Sequence, residues 1–451
     1  MKYRKHVSLC FLLAVSFLTC SFASADEFKQ PVASLELNSG DSIVFLGDSI
    51  THQCLYTQYV EDYFYTRHPH MRLKFHNAGV GGARAWDALE RFERDVAAYH
   101  PKYVTVLLGM NDGSYQPFNQ DTFDTYQQDM RLVISQIENC GAIPVLITPT
   151  MFDSRAARLG NRNHSPERLE LYNSVLAYYG TWLREVAVES GLGFIDMYGP
   201  LNNLTLEARK KDANFTLVRD AVHPDAPGQL VMAYAWLNDL GAQHPLSNIR
   251  ITIGAKGTPK AKAKGGAVTE LEMTEGGIAF TWTAEGLPWA IPDEAQTGAK
   301  LLRLGHKFSR EALEIHGLKP GRYELSIDGE TAGTYGAPAL ARHIELQSNA
   351  KTPQYQQALA VVELNRKRNA EHVKKLRNEW RVFQQHSRLA RQLKNAPENA
   401  ELKSNVDMLA EKLAGIEDRI AGHEQRALEM ENEIFTVNQP VPRKYVLRRT
   451  K

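Results

Sequence analysis

Between Asp41 and about Gly241 the chain alternates short, unbroken apolar runs with longer stretches of helical periodicity, and that alternation leaves few folds open. The apolar runs are residues 43–46, 73–76, 103–108, 144–148 and 194–197; helical patterns include residues 87–99, 122–138 and 166–190. A strand with one wet face alternates apolar and polar residues, whereas a parallel strand covered on both faces is apolar throughout. The reading is an α/β domain, a parallel sheet with helices on both faces.

The first run leads into Gly47-Asp48-Ser49-Ile50-Thr51. Gly47 permits a tight backbone path, and Ser49 falls at the start of the next helix, where free N–H groups favour developing negative charge. Sheets of this kind gather their sites at the carboxyl ends of the strands. Far downstream, Asp220-Ala221-Val222-His223-Pro224 carries a carboxylate and an imidazole that one short loop can deliver together. A serine nucleophile needs a base, and the base needs a carboxylate to fix its tautomer. Ser49, His223 and Asp220 are therefore the candidate catalytic residues. Gly82, in Asn77-Ala78-Gly79-Val80-Gly81-Gly82, follows the second run, and Asn111, in Gly109-Met110-Asn111-Asp112, follows the third. The N–H groups of Ser49 and Gly82 and the Asn111 amide could converge as an oxyanion hole. Taken singly, Gly82 is equally a turn glycine, and Asn111 an asparagine satisfying its own loop. Asp112 reads as a brace for that loop. His52 reads as a surface residue of the helix after Ser49, and Arg155, Arg158, Arg162 and His164 as a solvated basic loop. Trp86 is open between packing its helix and stacking on a sugar.

In these four blocks, in this order, the chain resembles the SGNH/GDSL-type hydrolases, with Ser49, Gly82, Asn111 and His223 matching the four residues that name the family. The resemblance covers roughly residues 40 to 240. No G-x-S-x-G surrounds Ser49, so the α/β-hydrolase elbow is not the match. The resemblance implies a five-stranded, flavodoxin-like, three-layer α/β/α sandwich. It also implies a serine esterase working through an acyl-enzyme without a cofactor. Its substrates range from O-acetylated polysaccharide to acyl lipid. Removal of O-acetyl groups from carbohydrate is preferred, because export and an accessory β region suit a polymer. The alternatives are a lipase or lysophospholipase, and a non-catalytic surface-binding protein with an inactive hydrolase domain. No residues have convincing metal-ligand spacing, and no phosphate-binding loop is present.

The N-terminus reads as an export leader. Lys2, Arg4 and Lys5 precede a mostly apolar run, residues 7–22, and Ala23-Ser24-Ala25 offers a cleavage site before Asp26. The run is short and interrupted for a membrane span, so a periplasmic or extracellular location is expected. Without the leader's three basic residues, the 53 Lys and Arg become 50 against 52 Asp and Glu. That balance gives no reason to propose nucleic acid as a partner. Cys10 and Cys20 fall in the leader, leaving Cys54 and Cys140 as one bridge or two free thiols.

The expected organisation is a leader at 1–25, the catalytic domain at 26–250, a β-rich accessory region at 251–350, a helical hairpin at 351–436 and a basic tail at 437–451. Residues 254–266 read as a linker or an exposed hairpin. Short strands are expected at 278–283, 314–316, 322–327 and 343–346, with Trp282 and Trp289 as core residues or a sugar platform. Tyr355, Leu359, Val362, Val373, Leu376, Trp380 and Phe383 keep helical spacing. After a break at Asn395-Ala396-Pro397, Leu402, Val406, Leu409, Leu413, Ile416 and Ile420 do so again. This predicts an antiparallel coiled-coil hairpin. It is read as a module apart from the catalytic blocks, a strut or docking arm with self-association through its seam among its uses.

Overall fold

The computed structural model describes residues 30–160 and 166–450. The leader expected at residues 1–25, and Arg162 and His164 of the basic loop, lie outside the described residues. Strands β1 (Ser42–Gly47), β2 (Lys74–Gly79), β3 (Tyr103–Leu107), β4 (Ile143–Ile147) and β5 (Gly193–Ile195) form one parallel sheet in the order β2-β1-β3-β4-β5. All of β1 and β3 is buried, which is why these runs do not alternate. Helices α1 (Ser49–His52), α2 (Leu55–Arg67), α3 (Ala85–Asp95), α4 (Gln120–Asn139), α5 (Ser154–Leu159), α6 (Pro166–Ser190), α7 (Tyr198–Arg209) and α8 (Ala226–Asp239) fill the connections. α2 packs on α8, and α3 on α4, as right-handed crossovers require when the strand order turns back at β1. The reversal opens a crevice at the carboxyl ends of β1 and β3, where such sheets bind ligands.

The chain then builds β6 (Ser247–Ile253), β7 (Pro259–Lys264), β8 (Gly266–Thr274) and β9 (Gly277–Ala284). Helices α9 (Gln296–Leu302) and α10 (Leu304–Phe308) lead to β10 (Glu311–His316), β11 (Arg322–Ile327) and β12 (Glu330–Gly336), and α11 (Ala337–Arg342) to β13 (Ile344–Glu345). One sheet has the order β13-β10-β6-β7; the other is β12-β11-β14-β9-β8, completed by β14 (Arg443–Arg449) near the end of the chain. Ile249, Ile251 and Leu313 from the first share an apolar core with Phe280, Leu325 and Tyr445 from the second, so the region is a two-sheet sandwich. Trp282 is buried in this core and Trp289 in the larger one, which removes both as a sugar platform. Residues 254–266 form an exposed hairpin, with a turn at Gly254–Thr258 leading into β7.

The C-terminal segment corrects the sequence reading. Residues 443–449 are not a free basic tail but β14, paired between β9 and β11. Tyr445 and Leu447 point inward while Lys444, Arg448 and Arg449 face solvent. The density of charge conceals a period of two.

α12 (Pro353–Arg368) continues through a π-helical turn at Asn369–Val373 into α13 (Lys374–Asn395). α14 (Ala400–Leu413) and α15 (Ile416–Val437) return alongside, broken at Ala414-Gly415. The hairpin is there, but it is not a separate module. Tyr355, Val362, Leu376, Trp380, Ile416 and Ile420 join the apolar core of the α/β domain, with α12 against α2 and α13 against α3 and β2. Polar pairs fix this docking. Arg368 Nη1 and Asn369 Nδ2 reach Glu61 Oε2 at 3.1 and 2.8 Å, and Asn365 Nδ2 reaches Asp62 Oδ1 at 2.8 Å. Fully buried Arg377 makes a bidentate pair with Asp95 at 2.8 and 2.9 Å. Helical spacing reveals an apolar stripe, not what covers it. Here those six residues are buried inside the same chain, so they offer no open seam for self-association.

Cys54 is buried and Cys140 exposed, and both are free thiols. No helix among the described residues is long and apolar enough to cross a membrane.

Candidate active site

Asp48 follows β1 and caps α1, its Oδ1 accepting the Ile50 N–H at 2.9 Å. That turn sets Ser49 at the first helical position with its side chain half-buried. Ser49 Oγ lies 2.8 Å from His223 Nε2, and His223 Nδ1 lies 2.7 Å from Asp220 Oδ2. The other Asp220 oxygen accepts the N–H groups of Val222 and His223 at 2.9 and 2.7 Å. Between them Ala221 holds φ at +75° without being glycine, a local strain of the kind that clusters at functional sites. Burial pulls the Asp220 carboxyl upward, but the hydrogen bonds from His223 and Val222 outweigh it and hold the group below the ordinary carboxylate range. An ionised Asp220 keeps the ring proton on Nδ1 and turns the Nε2 lone pair towards the Ser49 hydroxyl.

The loops after β2 and β3 bring the other two candidates to the same crevice. Gly82 has φ +74°, a left-handed conformation natural to glycine. Neither its N–H nor that of Ser49 has a hydrogen-bond partner among the described residues. Asn111 Nδ2 donates to Ala83 O at 3.1 Å, lies 3.4 Å from Asp48 Oδ2, and Asn111 Oδ1 accepts from Tyr115 OH at 3.2 Å. Its amide is therefore partly engaged by its own surroundings, and contact with a reacting oxygen would replace the long Asp48 bond. Asp112 braces the loop, as expected, accepting from Gly109 N and Ala85 N at 2.9 and 2.8 Å. Burial raises the Asp48 carboxyl to about 7 and the Asp112 carboxyl to about 6.

The sequence reading missed what holds the Gly81-Gly82 loop. His52 is not a surface residue but buried. Its Nδ1 accepts the Gly81 N–H at 3.2 Å, so its ring proton sits on Nε2, 3.1 Å from Asn378 Oδ1 on α13. Burial, aided by the Arg377 charge, lowers its pKa to about 4 and keeps the ring neutral. Gln384 Nε2 donates to Gly81 O at 3.0 Å. Arg388 Nη2 donates to Gly82 O at 2.6 Å, while its Nε and Nη2 grip Asp87 at 2.7 and 2.6 Å. Three successive peptide units of the loop are thus pinned, two by α13 directly and one through a histidine that α13 holds. The available signal was a polar stripe at helical spacing, Asn378, Arg381, Gln384, Arg388 and Arg391, which resembles a solvated face.

Trp86 is half-buried with the Arg391 guanidinium 4.2 Å from its ring centroid. Arg158 pairs with Glu170 at 2.7 Å on exposed side chains, in keeping with a solvated loop. Among the described residues no group of three or more His, Cys, Asp or Glu side chains is arranged to hold a metal ion.

Residues 45–231 match the GDSL-like Lipase/Acylhydrolase family. An acetylxylan esterase of Geobacillus stearothermophilus is 25% identical over 229 residues, 46% of this chain and 97% of that protein. The solved structure of a gut microbial diltiazem-metabolizing enzyme is similar over 93% of this chain and 100% of that one, with a TM-score of 0.75 and 27% identity. That second likeness extends through the accessory sandwich and the helical hairpin.

Proposed function

From a chain whose residues 45–231 belong to the GDSL-like lipase/acylhydrolase family, we propose a serine esterase that removes O-acetyl groups from carbohydrate. The observation that carries the mechanism is the unbroken relay from Ser49 Oγ through His223 to Asp220, at 2.8 and 2.7 Å. Ser49 attacks the ester carbonyl as His223 Nε2 takes its proton, and ionised Asp220 stabilises the imidazolium. The developing oxyanion is met by the N–H groups of Ser49 and Gly82 and by Asn111 Nδ2; one such donor is worth about 10²–10³ in kcat. His223 returns the proton to the leaving alcohol. It then draws a proton from water, which attacks the acyl-enzyme and releases the acid.

The acetylxylan esterase, similar over nearly its whole length, supports a short acyl group on a sugar. A long acyl chain would need an apolar trough, whereas the groove beside Gly82 and Asn111 is lined by Arg84, Arg388 and Arg391. A complete set of reacting groups weighs against an inactive hydrolase domain. The proposal includes export through the leader at residues 1–25, which N-terminal sequencing of the secreted chain tests.

The purified chain is expected to hydrolyse 4-nitrophenyl acetate and to release acetate from O-acetylated polysaccharide. Ser49→Ala is expected to abolish both with an unchanged melting curve, since only a small half-buried hydroxyl is removed. A folded Ser49→Ala variant with wild-type turnover overturns the assignment.

A further inference from the structure

The groove beside the oxyanion loop carries charge that the proposed steps do not use. It encloses about 460 Å³, and its walls include Gly82, Arg84, Trp86, Asn111, Tyr115 and Arg391. Arg381, Arg388 and Arg391 stand seven and three residues apart, which puts them along one side of α13. Arg381 lies over Gly81, and Arg84 comes from the start of α3. Of the four, Arg388 is neutralised by Asp87. Among the described residues the other three have no carboxylate within ion-pair distance.

The carboxylates nearby are already committed. Asp112 lies buried and takes two backbone N–H groups, and Asp220 belongs to His223. Asp129 senses the Arg391 charge without forming an ion pair with it. The excess of positive charge is local, since the whole chain is nearly balanced at 53 Lys and Arg to 52 Asp and Glu. Nor are the guanidinium groups loosely placed. Arg84 Nη2 leans on Ser114 Oγ at 3.3 Å. Arg391 rests on the Trp86 ring, a contact that occupies the face of a guanidinium and leaves its N–H edge free to donate. A pre-oriented fork of donors beside a partly enclosed groove matches a planar carboxylate.

We propose that this groove binds the carboxylate of an acidic sugar, so that the preferred substrate is an O-acetylated uronic-acid saccharide rather than a neutral chain. The inference rests on the esterase reading above and narrows its substrate. Arg391 and Arg84 act as specificity residues, and neither takes part in the proton transfers.

The test compares acetate release from an O-acetylated galacturonide and from the O-acetylated galactoside of the same length, which differ only in carboxylate against hydroxymethyl. The wild-type protein is expected to favour the galacturonide by ~10-fold or more in kcat/KM at low salt, mainly through KM. The preference should shrink at high salt and fall towards unity in the double variant Arg84→Gln with Arg391→Gln. Equal turnover of the two sugars, or a preference unmoved by both salt and the double variant, overturns the inference. Should the double variant fail to fold, the salt dependence of the wild-type preference decides. Hydrolysis of 4-nitrophenyl acetate with acetate released from neither sugar sinks the uronide proposal and leaves the esterase standing. Loss of all three activities sinks the esterase reading itself.

Discussion

The peptide unit between Gly81 and Gly82 turns its C=O towards Gln384, and in the proposed reaction its N–H would meet the reacting oxygen. In a planar trans peptide those two groups point in opposite directions, so holding one aims the other. Gln384→Met keeps the length of the side chain and removes the donor. The lost bond is 3.0 Å long and comes from a side chain only 3% exposed. Leaving a buried carbonyl unpaired costs about 1–3 kcal/mol, and half-buried Gly81 admits some water, which favours the low end. Gln384 Oε1 is itself buried without a partner among the described residues. Its removal offsets part of that cost, so the net stability change should stay within about 1 kcal/mol.

Activity should respond far more than stability. With glycine on both sides of the freed peptide, no Cβ resists its rotation. Complete loss of an oxyanion donor costs about 10²–10³ in kcat, and a donor that is sometimes well aimed costs less. We expect kcat on 4-nitrophenyl acetate to fall by about 10- to 100-fold with KM within about two-fold, because the donor acts mainly in the transition state. Inactivation by a phosphonate, which forms a tetrahedral adduct on serine, should slow by a similar factor. Steady-state kinetics and a thermal melt on the same preparation decide the matter. A variant with kcat within two-fold of wild type would refute the reasoning, because either Gly82 N–H is not a donor or Gln384 does not aim it. A large fall in melting temperature with a parallel loss of soluble protein would instead show a merely structural role.

Three further outcomes are expected. Asp220→Asn should lower kcat by about 10³–10⁴ while leaving the melt nearly unchanged, because the histidine tautomer suffers rather than the packing; a loss under ten-fold on 4-nitrophenyl acetate removes Asp220 from its role. Burial raises the Glu311 carboxyl to about 7 from an ordinary 4.5, so the native state holds a proton that the unfolded chain has released. Its stabilising share is full below the ordinary value and is lost as pH rises through the native one. Glu311→Gln, which mimics the protonated form, should match wild type near pH 4 and exceed it by about 2–4 kcal/mol near pH 8 in denaturant titrations; an equal difference at both pH values contradicts this. Cutting the chain near Lys351 should give an insoluble or inactive product, because the cut removes β14 and every α13 contact to the Gly81-Gly82 loop; a soluble truncation with near-normal small-ester turnover would restore the modular view.

What the sequence made legible is what local pattern encodes. The five parallel strands announce themselves because burial on both faces forces unbroken apolar runs. Ser49, Gly82 and Asn111 could be found because each follows such a run in a short motif, and His223 because it stands three residues after Asp220 in one short loop. β14 was hidden because four of its seven residues between Arg443 and Arg449 are Arg or Lys, and a charge count overrides the alternation of Tyr445 and Leu447. His52 was misplaced for another reason. A histidine three residues after the nucleophile looks solvent-facing on a helix, and its partners, Gly81 and Asn378, lie 29 and 326 residues away in sequence. Long-range polar pairs such as Arg377 with Asp95 leave no trace in either segment alone.

The misreading of α13 carries the larger lesson about this chain. A Gly-Gly pair is useful in an oxyanion loop because backbone N–H can come close to the reacting atom. The same absence of Cβ leaves the loop without a preferred orientation. In the proposed reaction the four blocks would supply the reacting groups but not the stiffness, and Ser49, Gly82, Asn111 and His223 all precede Pro224. Here the stiffness comes from Asn378, Gln384 and Arg388, more than 150 residues later, on a helix that is itself anchored by Arg377 to Asp95 and that continues α12, which Arg368 ties to Glu61. β14, which follows the hairpin, must also insert between β9 and β11 to complete the accessory sheet. The strand path therefore ties the last hundred residues to both halves of the molecule. An α/β core formed without them would hold the serine and its base but not an aimed Gly82 N–H, so full turnover should appear only once the C-terminal helices have docked.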